Sequence, residues 1–487
     1  MHWIPLTIVF AYIGVLFAVT WWARRLNLRG GGGIVGYLLA GRGLPAGVSA
    51  ALLAGLAVGG ASTIGVAERA YEVGFSAGWY NAAWAAGALV MGLFAARRFR
   101  RMEITTLPEL FERHYSTTAR VIGVAGQLVI QVVITSLQYV AGGAILSSLM
   151  PDVFSFQAGM AVTAVVFVGI TLIGGFWAAG LTNVINVAVI YLGIGLGALL
   201  TVGQLGGVAS FAGQLPQGHP GFDLWAVGGG LIAAWFMVMI TTVHSTQSVI
   251  QIGFAARDER TASRGYLYGA LIILPVGFIS AVLGMAAAVL HPGILPAEAL
   301  PRVVLGLSPP AAGIILAGLW AADVSTASAL LLGSATLVSS DIIKRFFAPD
   351  LSPARDQLVC RVTVLLLSVV TYLLALTVSG ILKMLLIGLT LTTAYTLVVL
   401  MTMFWPAVCR RSSASWTLAA TMVSLGLWLA TPLFGRLAAA RPALSGAFGL
   451  WQRVVDFFPH PIYFTWLVSL AAFFLVTLLD QRRIGAG

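Results

Sequence analysis

Apolar runs long enough to cross a bilayer recur along almost the whole chain, separated by short polar stretches. They fall at about 3–23, 46–72, 75–96, 119–150, 156–178, 181–207, 224–254, 265–291, 309–341, 357–378, 380–406, 414–434 and 461–480, and predict thirteen membrane-spanning helices of about 20 residues or more. The fold class read from this pattern is an all-α polytopic membrane protein embedded in a lipid bilayer. Two runs are interrupted. In the second, ALLAGLAVGGASTIGVAERAYEVG, residues Gly59, Gly60 and Gly65 bracket Ala-Ser-Thr-Ile, and adjacent glycines permit an unwound stretch with free backbone carbonyls. The seventh carries TTVHSTQSVIQ at 241–251. Each interrupted run opens a set of five, runs 2–6 and 7–11. In secondary transporters, paired interruptions of this kind mark the solute and ion site. The plainer alternative is a glycine packing seam in one run and a polar bundle interface in the other.

A third feature is the stretch AADVSTASALLLGSATLVSSDIIKR at 321–345, which sets Asp323 beside Ser325, Thr326 and Ser328 in hydrocarbon surroundings. A charge at bilayer depth costs about 2.5–3.5 kcal/mol on insertion scales, so such a cluster is unlike filler.

Composition agrees with the pattern. Of 487 residues, 59% are hydrophobic and 9% charged, against about 25% charged in soluble proteins. The net charge of +11 is an orientation signal and gives no support to nucleic-acid binding. With the N-terminus outside, the cytoplasmic loops hold Arg24, Arg25, Arg29 and Arg42, then Arg97, Arg98, Arg100, Arg101, Arg113 and Arg120, then Arg257, Arg260 and Arg264. Lys344, Arg345, Arg355, Arg361, Arg410, Arg411, Arg482 and Arg483 follow, which puts 21 of the 27 Lys and Arg residues on one side. The opening HWIPLTIVFAYIGVLFAVTWWARR lacks an early positive charge and an A-x-A-type cleavage site, and reads as a retained first span. Two cysteines, Cys360 and Cys409, offer no disulfide scaffold or zinc-type spacing. No G-x-x-x-x-G-K-[ST] or H-E-x-x-H run is present, so neither nucleotide-driven pumping nor zinc proteolysis has a motif to carry it.

Six stretches, LLAGRGLPAG, GGASTIGVAERAYEVGFSAGWY, RRFRRMEITTLPELFERHY, GGFWAAGLTNVIN, FAARDERTASRG and AADVSTASALLLGSATLVSSDI, occur in order over about residues 37–410. In them the chain resembles the sodium/solute symporter family. The resemblance implies a five-plus-five inverted-repeat core of the leucine-transporter type at 37–410, with one repeat at about 46–207 and the other at about 224–406. An extra N-terminal helix at 1–36 precedes it, and two C-terminal helices and a tail at 411–487 follow. It also implies a Na+ site formed by the carbonyls of Ala61, Ile64 and Ala322 and the hydroxyls of Ser325 and Thr326. The chemistry is sensible by itself: Na+ is a hard cation that wants about five or six oxygens, and neutral dipoles release it readily. Taking Ala322 as zero on a helical wheel, Ser325 lies near −60° and Thr326 near +40°, so all three can face one ion. Both hydroxyls can equally back-bond to preceding carbonyls of their own helix.

A second Na+ in some family members uses an acid where this chain has Thr182-Asn183, and Ser328 is followed by Ala329. One Na+ per solute is therefore the expectation. Asp323 lies near +100° on the same wheel, on the other flank from Ser325. Three readings of it stay open: a proton-coupling carboxylate, an electrostatic aid to Na+, or a structural acid. For the solute, the polar groups that reach the middle of the bundle are Ser62, Thr63 and Tyr71, then Gln131 and Gln138 on one face of a helix, then His244 and Gln247. The leading reading is a Na+-coupled secondary symporter, not an enzyme, importing a small polar organic solute by alternating access, with Na+ as the co-transported ion and no organic cofactor. It would work as a monomer in the plasma membrane, N-terminus outside and C-terminus cytoplasmic. The alternatives are a proton-coupled carrier using Asp323 and, from another class, a passive channel.

Overall fold

The structure, a computed structural model, describes residues 3–29, 33–149, 153–377 and 381–484. Among the described residues there is no β-strand, and helices carry nearly the whole chain. Helix α1 (Trp3–Arg29) is followed by a short helix at Gly33–Leu39, a 3-10 turn at Ala40–Arg42 and then α2 (Ala46–Ala57), where the first interruption stops the helix. The Gly59–Gly60 link and a π turn at Ala61–Gly65 follow, and α3 (Val66–Val73) resumes. Next come α4 (Trp79–Val90), continued to Arg101, the connector helix α5 (Leu107–His114), and the long α6 (Thr117–Leu149) and α7 (Phe156–Gln204).

The second half opens with α8 (Gly229–Ser245) and α9 (Gln247–Ala255), which meet at a 50° bend. It continues with α10 (Glu259–Leu290), α11 (Pro309–Thr336, prolonged by a π-helical stretch to Phe347) and α12 (Pro353–Ala375). Helices α13 (Ile381–Thr390), α14 (Thr393–Phe404), α15 (Ser413–Leu429) and α16 (Pro461–Leu479) complete the main set.

Among the described residues eight helices are long and apolar enough to cross a membrane, or ten with each of two bent pairs taken as one span. The thirteen runs seen in the sequence map onto these differently. Runs 156–178 and 181–207 fall on the two helices that meet within α7 at the non-helical Gly175 (φ 57°), where a side chain would collide with the Tyr37 carbonyl. Run 46–72 is split by its own break, and 380–406 becomes α13 and α14. The boundary expected near 378–380 lies outside the described residues.

Helix α11 is the buried axis of the bundle, packed by α1, α2, α6 and α7, whereas α1, α12 and α16 turn most of their apolar surface outward, as lipid-facing helices do. At one end of the bundle the two interrupted elements are tied together. Leu44, just before α2, pairs with the strand-like exit of α9: Leu44 N–H donates to the Ala255 carbonyl (3.1 Å) and Arg257 N–H to the Leu44 carbonyl (3.0 Å).

The connectors pair their charges as their acid and arginine content suggests. Glu112 bridges Arg120 and Arg345 (2.9 Å to the latter), and Arg101 meets Glu259 at 2.8 Å. Burial pushes the Glu112 carboxyl up, but hydrogen bonds from Arg345, Arg120 and Thr117 outweigh it and hold it down at about 2.

Candidate functional site

A helix leaves its last carbonyls without intrahelical partners. For α2 the structure accounts for three of them. The Gly55 carbonyl accepts from Ser325 Oγ (2.8 Å) and Thr326 Oγ1 (2.8 Å), the Leu56 carbonyl accepts from Thr326 Oγ1 (3.3 Å), and the Ala57 carbonyl accepts from Ser62 Oγ (2.7 Å). The two α11 hydroxyls also reach back to the Ala322 carbonyl of their own helix, at 2.8 and 3.1 Å. Five neutral oxygens from Gly55, Leu56, Ala322, Ser325 and Thr326 thus converge where α11 passes the end of α2. Number and type suit Na+: a cation entering here takes the lone pairs that the hydroxyl protons now occupy.

Ala322, Ser325 and Thr326 come together on α11, and the carbonyls of the broken helix that meet the two hydroxyls are those of Gly55 and Leu56. Ala61 and Ile64 lie farther along, in the π turn, buried but not among the oxygens bonded to α11. The reason is where α2 ends, which the glycine pattern alone does not fix. Thr63 Oγ1 bonds the Gly59 carbonyl at 3.2 Å, so Ser62 and Thr63 both spend their hydroxyls on the backbone of their own break.

The link needs glycine because α6 and α11 press on it. A Cβ on Gly59 would stand 2.6 Å from Gln138 Oε1 and 2.7 Å from Thr326 Oγ1, and one on Gly60 would stand 2.7 Å from Asp323 Oδ1. Gln138 Oε1 accepts the freed Gly60 N–H at 3.2 Å. Asp323 is fully buried and faces Gly60, across the break from Ser325, and forms no ion pair among the described residues. Behind Gly55 stands Asn183, close enough that a Gly55 Cβ would lie 2.5 Å from its Nδ2. Its Oδ1 accepts from Asn186, which in turn accepts from the Tyr12 hydroxyl. Ser328 bonds back to the Val324 carbonyl at 2.8 Å. Neutral amides, Asn183 and Asn186, thus stand behind Gly55.

The second break sits at Thr246, in extended conformation (φ −90°, ψ 127°). Its freed groups are both taken by Gln127 of α6: Nε2 donates to the Ser245 carbonyl (2.6 Å) and Oε1 accepts from Gln247 N–H (3.0 Å). Gln247 itself faces the connector, accepting from Leu107 N–H (2.8 Å) and donating to the Thr105 carbonyl (3.1 Å). His244 Nδ1 lies 2.7 Å from the Ile240 carbonyl of its own helix. Tyr71 is engaged far from the middle, donating to the His291 carbonyl (3.0 Å) and accepting from Gly293 N–H (2.9 Å). Gln247, His244 and Tyr71 are not among the residues that line the cavity between the two breaks.

Between the two breaks lies a narrow cavity. Gly59, Ala61, Gln138 and Thr326 line one side, Thr242, Thr246 and Ser248 another, and Tyr80 and Trp84 a third. Trp84 Nε1 donates to the Tyr80 hydroxyl at 3.1 Å, so the aromatic wall satisfies itself. Gln131 lies next to this space: a Cβ on Gly333 would meet both its Oε1 and the Ser248 side chain, and neither polar group is hydrogen-bonded among the described residues.

A model of the sodium:solute symporter family matches residues 37–420 of this chain. The chain belongs to that family. The symporter is similar to the sodium/glucose cotransporter of Vibrio parahaemolyticus, 25% identical over 386 residues that cover 72% of this chain and 70% of that protein. It is also similar to the osmoregulated proline transporter OpuE of Bacillus subtilis, 24% identical over 357 residues that cover 70% and 72%. Among solved structures, a substrate-bound, outward-open Na+-coupled sialic acid symporter superposes with a TM-score of 0.77 at 16% identity, covering 99% of both chains. The Mhp1 transporter of the nucleobase-cation-symport-1 family gives 0.57 at 16% identity, over 91% and 95%. These likenesses show the fold. The protein is a multi-pass membrane symporter, not an enzyme, and Na+ is the ion that its family couples.

Gln127, Gly55 and Leu56 escaped the sequence reading. Gln127 was detectable, since it shares a helix face with Gln131 and Gln138. The two carbonyls were not, because every residue carries one.

Proposed function

We propose that this symporter couples the entry of one Na+ to the import of one small polar organic solute by alternating access across the plasma membrane. The observation that carries the reading is the convergence of five neutral oxygens between the end of α2 and Ser325 and Thr326 of α11. The solute's place is the cavity between the two breaks, where Gln138, Thr246 and Ser248 face the Tyr80 and Trp84 rings. Aromatic surface with a few neutral polar groups suits an uncharged or zwitterionic molecule of modest size. The named solutes of the relatives, glucose and proline, fall in that range. The basic loops point to the cytoplasm, which puts the N-terminus outside and the C-terminus inside. Residues 37–410 form the transporting core in two inverted repeats, 46–207 and 224–406, with 1–36 and 411–487 as added helices, and a single chain suffices.

The test works before the solute is identified. Purified protein is titrated with Na+ against K+ and choline at constant ionic strength while thermal stability is read. A ligand that binds only the folded state raises stability by mass action. Na+-selective stabilisation that disappears in Ser325→Ala/Thr326→Ala is the expected result, and equal responses to Na+ and K+ would sink the reading. Glucose, proline and other neutral or zwitterionic solutes are then screened for further stabilisation in Na+.

A further inference from the structure

We infer that α6 is the tie through which the two breaks respond to each other, with Gln127 and Gln138 as positioning residues for coupled transport. The inference rests on the Na+ site proposed above and adds the route by which its occupancy reaches the second break.

An interrupted helix exposes peptide groups that buried surroundings must satisfy. A carboxamide is the matching side chain, because it offers one donor side and one acceptor side, as a peptide does. Both breaks use one, and both glutamines come from the same helix. Gln127 takes the Ser245 carbonyl and the Gln247 N–H, spanning Thr246 completely. Gln138 takes the Gly60 N–H and anchors its own Nε2 on the Ile134 carbonyl at 3.2 Å. Eleven residues separate them, about three turns, so they lie within about 20° of one face and about 16 Å apart along the axis. Helix α6 runs unbroken between them. Both side chains are buried, so water does not compete for these bonds.

The geometry connects this tie to the ion site at one end and to the connector at the other. A Cβ on Gly59 would touch both Gln138 Oε1 and Thr326 Oγ1, so Gln138 and the ion-site hydroxyl press on the same residue. When Na+ draws the Thr326 hydroxyl and the α2 carbonyls together, the Gly59–Gly60 link moves against Gln138. At the far end, Gln127 holds Gln247, whose own carboxamide grips the backbone at Thr105 and Leu107. The second link between the broken helices, the Leu44 pairing with Ala255 and Arg257, lies outside this route and is the competing path.

The experiment uses full-length protein with Cys360→Ser and Cys409→Ser, carrying Ser248→Cys as the sole thiol, so that alkylation of this buried position reads opening of the second break. Alkylation by a small methanethiosulfonate reagent is timed in NaCl and in choline chloride. Na+ is expected to change the rate about fivefold or more, the lower end of ordinary coupling between sites. In Gln127→Leu, remote from the ion site, that response falls below about twofold while the Na+ midpoint of thermal stabilisation moves less than about threefold; in Gln138→Leu, beside the ion site, the response falls likewise when read at saturating Na+. Ser136→Ala, whose hydroxyl only bonds the Val133 carbonyl of α6, keeps the full response. Gln→Met at both positions repeats the test with side-chain length preserved, should either leucine variant fold poorly. An undiminished response in the glutamine variants overturns the inference and assigns the coupling to the Leu44 pairing. So does a reporter blind to Na+ in protein that Na+ stabilises. Absence of any Na+ stabilisation removes the ion-site reading itself, and this inference with it.

Discussion

The Thr326 hydroxyl stands 2.8 Å from the Gly55 carbonyl, joining the unbroken helix α11 to the last turn of the broken α2. Ser325 makes the same bond at the same distance. One carbonyl thus serves two hydroxyls, an arrangement that a cation can replace without stranding any oxygen.

Removing both hydroxyls should therefore have two separate effects. Ser325→Ala/Thr326→Ala leaves the Gly55 and Leu56 carbonyls buried without donors, at a cost of about 1–3 kcal/mol each in the Na+-free protein. Na+ stabilisation should also vanish. Thermal unfolding with and without Na+ separates the two, and a double variant as stable and as Na+-responsive as the wild type would refute the assignment.

Tyr71 offers a contrast between a binding role and a holding role. Its hydroxyl joins α3 to the loop at His291–Gly293 and lies away from the cavity. Tyr71→Phe should lower stability by about 1–2 kcal/mol, the ordinary worth of one or two hydrogen bonds, and leave the Na+ midpoint unchanged. A solute that binds wild type but no longer binds Tyr71→Phe would return this residue to the cavity wall.

Asp341 is fully buried and held by Arg120 (2.6 Å) and by Thr106 Oγ1 (2.9 Å), where α5, α6 and the end of α11 meet. Arg120→Met takes away its counter-charge, which in buried pairs costs about 3–5 kcal/mol. Arg120→Met/Asp341→Leu removes both of these charges and should recover the part of the loss due to Asp341, leaving only the Arg120–Glu112 pair unrestored. Melting temperatures of the single and double variants check the pair directly.

Acidification should act through His460, which caps α16 by accepting Ile462 N–H on Nδ1 at 3.2 Å. Burial pushes this imidazole down from the ordinary 6.5 to about 4. A base whose folded value is depressed contributes stability that is complete above 6.5 and is lost as the pH falls through about 4, in total roughly 3 kcal/mol. His460→Asn, which keeps a capping oxygen but does not titrate, should flatten the stability profile over that window.

Much of the fold was legible along the chain because a bilayer imposes a coarse rule: segments that cross it must be long, apolar and internally hydrogen-bonded. Local chemistry also marked both breaks, through Gly59–Gly60 in one and TTVHSTQ in the other. Ser325 and Thr326 stood out as hydroxyls in hydrocarbon. The family followed from ordered motifs.

What the sequence could not determine was where each freed backbone group would find its partner. Which carbonyls α11 meets depends on how far α2 stays helical, a balance between its last turn and the pressure of Gln138 and Thr326 on glycine. Whether a polar side chain faces the cavity or bonds to backbone depends on neighbours remote in the chain, so the sequence alone could not separate the surroundings of Gln247, His244 and Tyr71 from those of Gln138. Composition and period set the helices, because those are properties of a single segment. The site was decided by tertiary structure, because unpaired peptide groups must be satisfied by whichever side chain the packing brings within 3 Å or so.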